Sequence, residues 1–90
     1  MSWGLRLAGD AIADLRDLEI WLQEEVLDEL DRLIDDPAML SQRRTTPTVV
    51  FDFTRDRAGD RHYVFVRLNV DEARHQVRVL GISSFSPRRR

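Results

Sequence analysis

The chain has 90 residues, 42% of them apolar, and a formal net charge of −2. That is enough for one small domain, spanning 1–90, with a hydrophobic core, and too apolar for wholesale disorder. Cysteine is absent, which excludes disulfides, thiolate metal sites and thiol chemistry. Two separated histidines, His62 and His75, make no convincing metal site, so neither a metal nor a cofactor is expected. No run approaches the roughly 18 apolar residues of a membrane span. The opening MSWGLRLAGD has no apolar core of the signal-peptide kind, so a cytoplasmic protein with no membrane partner is expected.

Charge is divided unevenly along the chain. Residues 1–40 carry three arginines against eleven acids, a net of −8, and residues 41–90 carry eleven arginines against five acids, a net of +6. Such a split suits a basic face for a phosphate backbone or an acidic partner, or simply two halves that attract each other. Lysine is absent. Every cation is an arginine, the side chain suited to bidentate phosphate or carboxylate contacts.

In chain order, Trp3, Leu5 and Leu7 alternate with small or charged residues and predict a short first strand over 2–8. Gly9-Asp10 predicts a turn and an N-cap. From Asp10 to Pro37 the residues Ile12, Leu15, Leu18, Leu22, Val26, Leu30, Leu33 and Ile34 recur at three- and four-residue steps, one stripe on a helical surface. As one helix this stretch would run roughly 40 Å, too long for a domain of this size. Ile20 and Trp21 fall off the stripe, so a break near Leu18–Trp21 and a helical hairpin are expected. Asp35-Asp36-Pro37 ends the second helix, because the residue before proline resists the α conformation.

After a polar connector come three predicted strands, 48–54, 62–70 and 76–83, and then a tail over 83–90 expected to be flexible. The first places Val49, Phe51 and Phe53 on one face and Val50 and Asp52 on the other. The second and third form a hairpin, pairing Val70 with Val77, Leu68 with Val79, Asn69 with Arg78 and Arg67 with Leu80. The expected fold is therefore α+β in the order β-α-α-β-β-β, with a helical hairpin on one face of a small, mainly antiparallel sheet.

That order, together with Ala11-x-x-Asp14-Leu15, Val26-x-x-x-Leu30-x-x-Leu33-x-x-Asp36-Pro37, the spacing from Tyr63 to Asp71 and the run Val79-Leu80-Gly81-Ile82, resembles the RelE/ParE superfamily of toxins from bacterial type II toxin–antitoxin systems. The resemblance covers roughly residues 3–84. It implies a toxin with an antitoxin protein as partner. RelE-like members are implied to act as mRNA interferases, cutting messenger RNA on the ribosome without a metal. With no metal, side-chain cations must hold the charge that develops on phosphorus, and a proton acceptor and donor must be placed. ParE-like members are implied to share the fold and to poison DNA gyrase. The chain departs from the RelE pattern at several places. The family's Tyr-Arg pair is Tyr63-Val64 here, Val50 and Asp52 stand where basic residues are usual on the second strand, and no tyrosine follows the last strand.

The candidate catalytic residues are Arg61, His62 and Tyr63, and the candidate nucleic-acid contacts are Arg55, Arg57, Arg67 and Arg78. The arginines of the loop 55–61 read as a phosphate cluster or as solvated charges balanced by Asp56 and Asp60. Arg67 and Arg78, near Phe65, read either as base-stacking and phosphate contacts or as partners of helix acids such as Asp14 or Glu29. His75 is expected to be exposed in a turn. The functional expectation is a RelE-like, ribosome-dependent mRNA endoribonuclease or a catalytically degraded relative. The alternative is a non-catalytic ParE-like inhibitor, or an interaction module or homodimer, using the sheet face of Val64, Val66 and Leu68.

Overall fold

The computed structural model describes residues 3–36, 38, 40, 47–55 and 60–86, with backbone only for Arg55 and Asp60. Strand β1 (Gly4–Leu7) leads into helix α1 (Gly9–Arg16). The expected cap at Asp10 is replaced by Ala8, whose extended backbone starts the helix without a side-chain cap. Asp10 lies in the first turn instead, where its charge still favours the positive end of the helix dipole.

The hairpin break falls at residues 17–19, where expected, and its chemistry is visible. Asp17 closes α1, and Glu19, in an extended conformation, opens α2 (Ile20–Ile34). The carboxamide of Gln23 reaches back from α2 and donates to the Leu18 carbonyl at 2.8 Å and the Arg16 carbonyl at 3.5 Å. One side chain thus serves carbonyls that the end of α1 leaves without an intrahelical partner. Along α2 the stripe Leu22, Val26, Leu30, Leu33 is buried, while Ile20 is 75% exposed. The two aspartates at the end of α2 have separate places. Asp35 caps the helix, and Asp36 accepts the Ala38 N–H at 3.0 Å to start a further turn that buries Leu40.

Strands β2 (Thr48–Arg55), β3 (Asp60–Asp71) and β4 (Gln76–Phe85) complete a four-stranded sheet in the order β1-β4-β3-β2. β1 runs parallel to β4, and the other pairs are antiparallel. The last strand continues two residues past the expected Ser83. One face of the sheet lies beneath the helices. Val64, Val66 and Leu68 of β3, Val77, Val79 and Ile82 of β4, and Val49 of β2 pack there with the α2 stripe and Ala11. Among the described residues no polar or charged residue is buried as a whole. This corrects one expectation directly, because the Val64/Val66/Leu68 face is sealed and offers no surface to a partner.

The register of the β3–β4 hairpin follows the expected pairs through Asn69–Arg78 and Leu68–Val79, then slips by one. Arg67 lies opposite Gly81, not Leu80. The reason is in the apolar pattern of β4: the core positions are Val77, Val79 and Ile82, so one extra residue must be absorbed before Ile82 can turn inward. A bulge at Leu80-Gly81 absorbs it.

The β3–β4 turn also differs from expectation. His75 is half-buried, with φ of 51° in the left-handed region, and its ring stacks on Trp3 at 5.1 Å and 19°. Its carbonyl accepts the Gly4 N–H at 2.8 Å, tying the start of β1 to the turn. Among the described residues no helix is long and apolar enough to cross a membrane.

Candidate nucleic-acid interface

Because strand residues alternate, the side chains between the buried ones form the opposite, uncovered face of the sheet. At one end Arg6 of β1 and Arg78 of β4 occupy paired positions, both exposed, with Asn69 on the other side of Arg78. Next comes Arg67, between Thr48 and Gly81, then Phe65 between Val50 and Ser83, then Tyr63 between Asp52 and Phe85. Arg61, opposite Thr54, closes the row. Val50 (51% exposed), Phe65 (38%) and Phe85 (58%) are large apolar side chains set among these arginines.

Arg61 has a defined environment. Its guanidinium pKa is raised, first by hydrogen bonding to the Tyr63 hydroxyl and by that group's charge, then by the Asp52 carboxylate. Arg6, Arg67 and Arg78 differ. Among the described residues none of them forms an ion pair or a side-chain hydrogen bond. The expectation that helix acids would neutralise Arg67 and Arg78 is corrected for Glu29, which pairs with Arg32 of its own helix. Like charges at paired positions repel, so Arg6 and Arg78 gain from an anion placed between them.

A cleft of about 330 Å³ opens beside Arg67, lined also by Asp14, Thr48, Phe65, Ser83 and, next to the bulge, Gly81 and Ile82. Asp14 arrives from α1, which lies along β4 where β1 has ended. Its Oδ2 accepts the Ile82 N–H at 3.0 Å, an edge donor that β1 is too short to reach. Gly81 carries no side chain, and both Arg67 Nη2 and Asp14 Oδ2 lie 3.8 Å from the point where its Cβ would sit.

The candidate residues are therefore divided. Arg61, Tyr63, Arg67 and Arg78 share the open face. His62 does not, because its parity matches Val64 and turns it toward the helices. There its ring meets the edge of Trp21 at 5.0 Å, and Nδ1 lies 2.6 Å from Ser86 Oγ. Arg55 ends β2 with its side chain outside the described residues, as are Arg57 and the terminal arginines 88–90. Arg6, Thr48 and Ser83 were not singled out from sequence, and Gly81 entered only within the run Val79-Leu80-Gly81-Ile82. For Gly81 a signal existed, since a lone glycine between Leu80 and Ile82 in a strand is a bulge marker. Among the described residues no three His, Asp or Glu side chains gather as a metal-binding set.

No protein-family model matches the chain, and neither does any curated protein sequence. Solved structures do match. The E. coli toxin RelE, as a double arginine-to-alanine mutant in the free state, superposes with a TM-score of 0.65 at 14% identity, over 92% of this chain and 83% of that one. A chain of the intact E. coli RelBE toxin–antitoxin complex gives 0.59 at 16% identity, over 91% and 95%. The chain has the RelE fold. In that frame the order β-α-α-β-β-β and the helix-covered sheet are accounted for. At such low identity the RelE fold can be kept while the side chains on the open face are exchanged.

Proposed function

We propose that this protein is the toxin of a toxin–antitoxin pair, that it acts on RNA through the open face of its sheet, and that its antitoxin silences it by covering that face. The observation that carries the reading is the row of Arg6, Arg78, Arg67 and Arg61 on the uncovered side of a RelE-type sheet. Three of these arginines lack an acidic partner among the described residues. Free guanidiniums flanking an aromatic side chain are what a single strand needs, cations for its phosphates and a ring for its bases. The same arginines, with Val50 and Phe85, also offer an acidic, amphipathic antitoxin segment both charge pairing and apolar contact.

Cutting RNA without a metal requires removing the proton from a 2′-hydroxyl and attack of that oxygen on the adjacent phosphorus. The bond to the 5′-oxygen then breaks, and the leaving oxygen takes up a proton. In our reading Arg67 and Arg78, with Arg55 and Arg57, hold phosphates, and Arg61 steadies the developing charge. Tyr63, two residues from Arg61 on the same strand face, is the open-face hydroxyl available for proton transfer. His62 faces the helices and takes no part in this arrangement.

A second reading has its own observation. Val50 and Asp52 give β2 an apolar and an acidic side chain on the open face, which weakens that end of the face as a cation site. A relative that inhibits by docking, as implied for ParE-like members, would use Val50, Phe65 and Phe85 as anchors. Induced expression in a bacterial host separates the two. Growth arrest with cut messenger RNA in the parent, both lost in an Arg61/Arg67/Arg78 triple-alanine variant, is the outcome expected of the nuclease. Arrest without cutting, abolished by Val50→Asp, would transfer the function to docking. Absence of arrest with folded protein would remove the toxin reading.

A further inference from the structure

The cleft at the β4 bulge holds two opposite charges that do not meet. Asp14 and Arg67 each reach to 3.8 Å from the point where a Gly81 Cβ would sit, and no ion pair joins them. Asp14 is held by the Ile82 N–H through Oδ2, which leaves Oδ1 facing no described partner. Arg67 is fixed on the sheet between Thr48 and Gly81, two residues from the ring of Phe65. A ligand that bridges the gap must offer an acceptor to the guanidinium and donors to the carboxylate along one edge, and must present a flat face to Phe65.

We infer that this cleft is a base-recognition pocket selective for guanine in single-stranded RNA. The inference rests on the RNA-directed reading above. Guanine's Watson–Crick edge places the O6 acceptor beside two adjacent donors, N1–H and the N2 amino group. Arg67 donates to O6, and Asp14 accepts from N1–H and N2–H. Adenine and cytosine each offer the carboxylate only one donor group, and uracil has a single N–H between two carbonyls. Phe65 supplies a stacking surface that every base shares, so it adds affinity without choice. The cleft volume of about 330 Å³ is at the small end of ligand pockets, which run from roughly 300 to 1,000 Å³, as suits a single base. Single-stranded RNA is read in this way, by stacking a splayed base and bonding its edge.

Nuclear magnetic resonance titration of the full chain with the 5′-monophosphates of guanosine, adenosine, cytidine and uridine, each alone, tests the pocket. The Gly81, Ile82 and Ser83 amides report on it directly. The expected result is that the guanosine nucleotide shifts these amides and binds about tenfold tighter than the other three, the discrimination one bidentate contact carries. Asp14→Asn keeps an oxygen for the Ile82 N–H but loses the paired acceptor, and should bind all four alike. If that variant fails to fold, Arg67→Gln, on the open face, is expected to lose the preference in its place. Equal affinities in the parent overturn the inference. So does a guanine preference that survives in the variants, or nucleotide shifts that spare the bulge. Growth arrest and cut messenger RNA without any guanine preference would remove the pocket and leave the RNA-cleaving toxin. A guanine preference in a protein that neither arrests growth nor cuts RNA would do the reverse.

Discussion

The same three long strands present two faces that differ in every respect that matters for function. Beneath the helices, Val64, Val66, Leu68, Val77 and Val79 are 0–2% exposed and no polar residue is buried among those described. On the other side, one residue along, stand Tyr63, Phe65, Arg67 and Arg78. The covered face provides stability and the open face is free to carry chemistry, so exchanges on one need not disturb the other. This explains how a RelE-type fold persists at 14–16% identity. The core needs only apolar residues of about the right size, a condition that many sequences meet.

Neighbouring substitutions offer the severest test of that contrast. Val66→Asp places a carboxylate where no partner exists and should unfold the domain, a loss of more than about 4 kcal/mol. Phe65→Ser, at the adjacent residue, should shift stability by no more than about 1 kcal/mol, as for a half-exposed side chain. Urea denaturation of both variants would settle the matter, and comparable losses would mean that the open face is covered in the free protein. Leu30→Ala follows, at about 2–5 kcal/mol, because the α2 stripe cannot collapse onto four strands without leaving a cavity. In the same experiment Ile20→Ala, at a residue 75% exposed, should be nearly silent.

Asp14 sits where the two faces meet. Asp14→Ala strips the acceptor from a part-buried N–H of Ile82 at the sheet edge. The expected cost is about 1–3 kcal/mol, the range for a donor left unsatisfied. Faster hydrogen exchange at Ile82 than at Val79 would locate the effect. An unchanged rate at Ile82 would show that water replaces the carboxylate without penalty. At the far turn, His75 has a left-handed backbone that costs a residue with Cβ roughly 1–2 kcal/mol. His75→Gly should therefore be more stable than His75→Ala by about 1 kcal/mol, inverting the order seen in ordinary strand and helix positions. Both variants lose the Trp3 stack equally, so the comparison isolates the backbone.

Much of this could be read from the residues themselves, because it rests on local periodicity. The α2 stripe, the helix break near Leu18 and the hairpin register through Asn69–Arg78 are all consequences of spacing. The parity that separates His62 from Tyr63 was equally present, since His62 alternates with Val64, but three adjacent polar residues invite being grouped as one cluster. The bulge was half-legible in Gly81. What no spacing contains is the meeting of Asp14 with Ile82, 68 residues apart. It arises because β1 stops at Leu7 and α1 then runs along the edge of β4, and that is decided by how the layers pack.

The smallest effects on stability are expected where the effect on function should be greatest. Arg78→Ala and Arg6→Ala remove exposed, unpaired guanidiniums and should leave the denaturation midpoint within about 0.5 kcal/mol of the parent. Relief of the Arg6–Arg78 repulsion could even make either single variant slightly more stable. If the open face grips a phosphate backbone, each removal should lower the slope of log affinity against log salt by about 0.7 for a single strand. Arg32→Ala, which breaks an exposed pair on the helix side, is the matched control and should leave that slope unchanged. Equal slopes for all three variants would show that RNA, if it binds, does not bind here. A drop at Arg78 and Arg6 alone would tie affinity to the face that the helices leave uncovered, with no change in the fold.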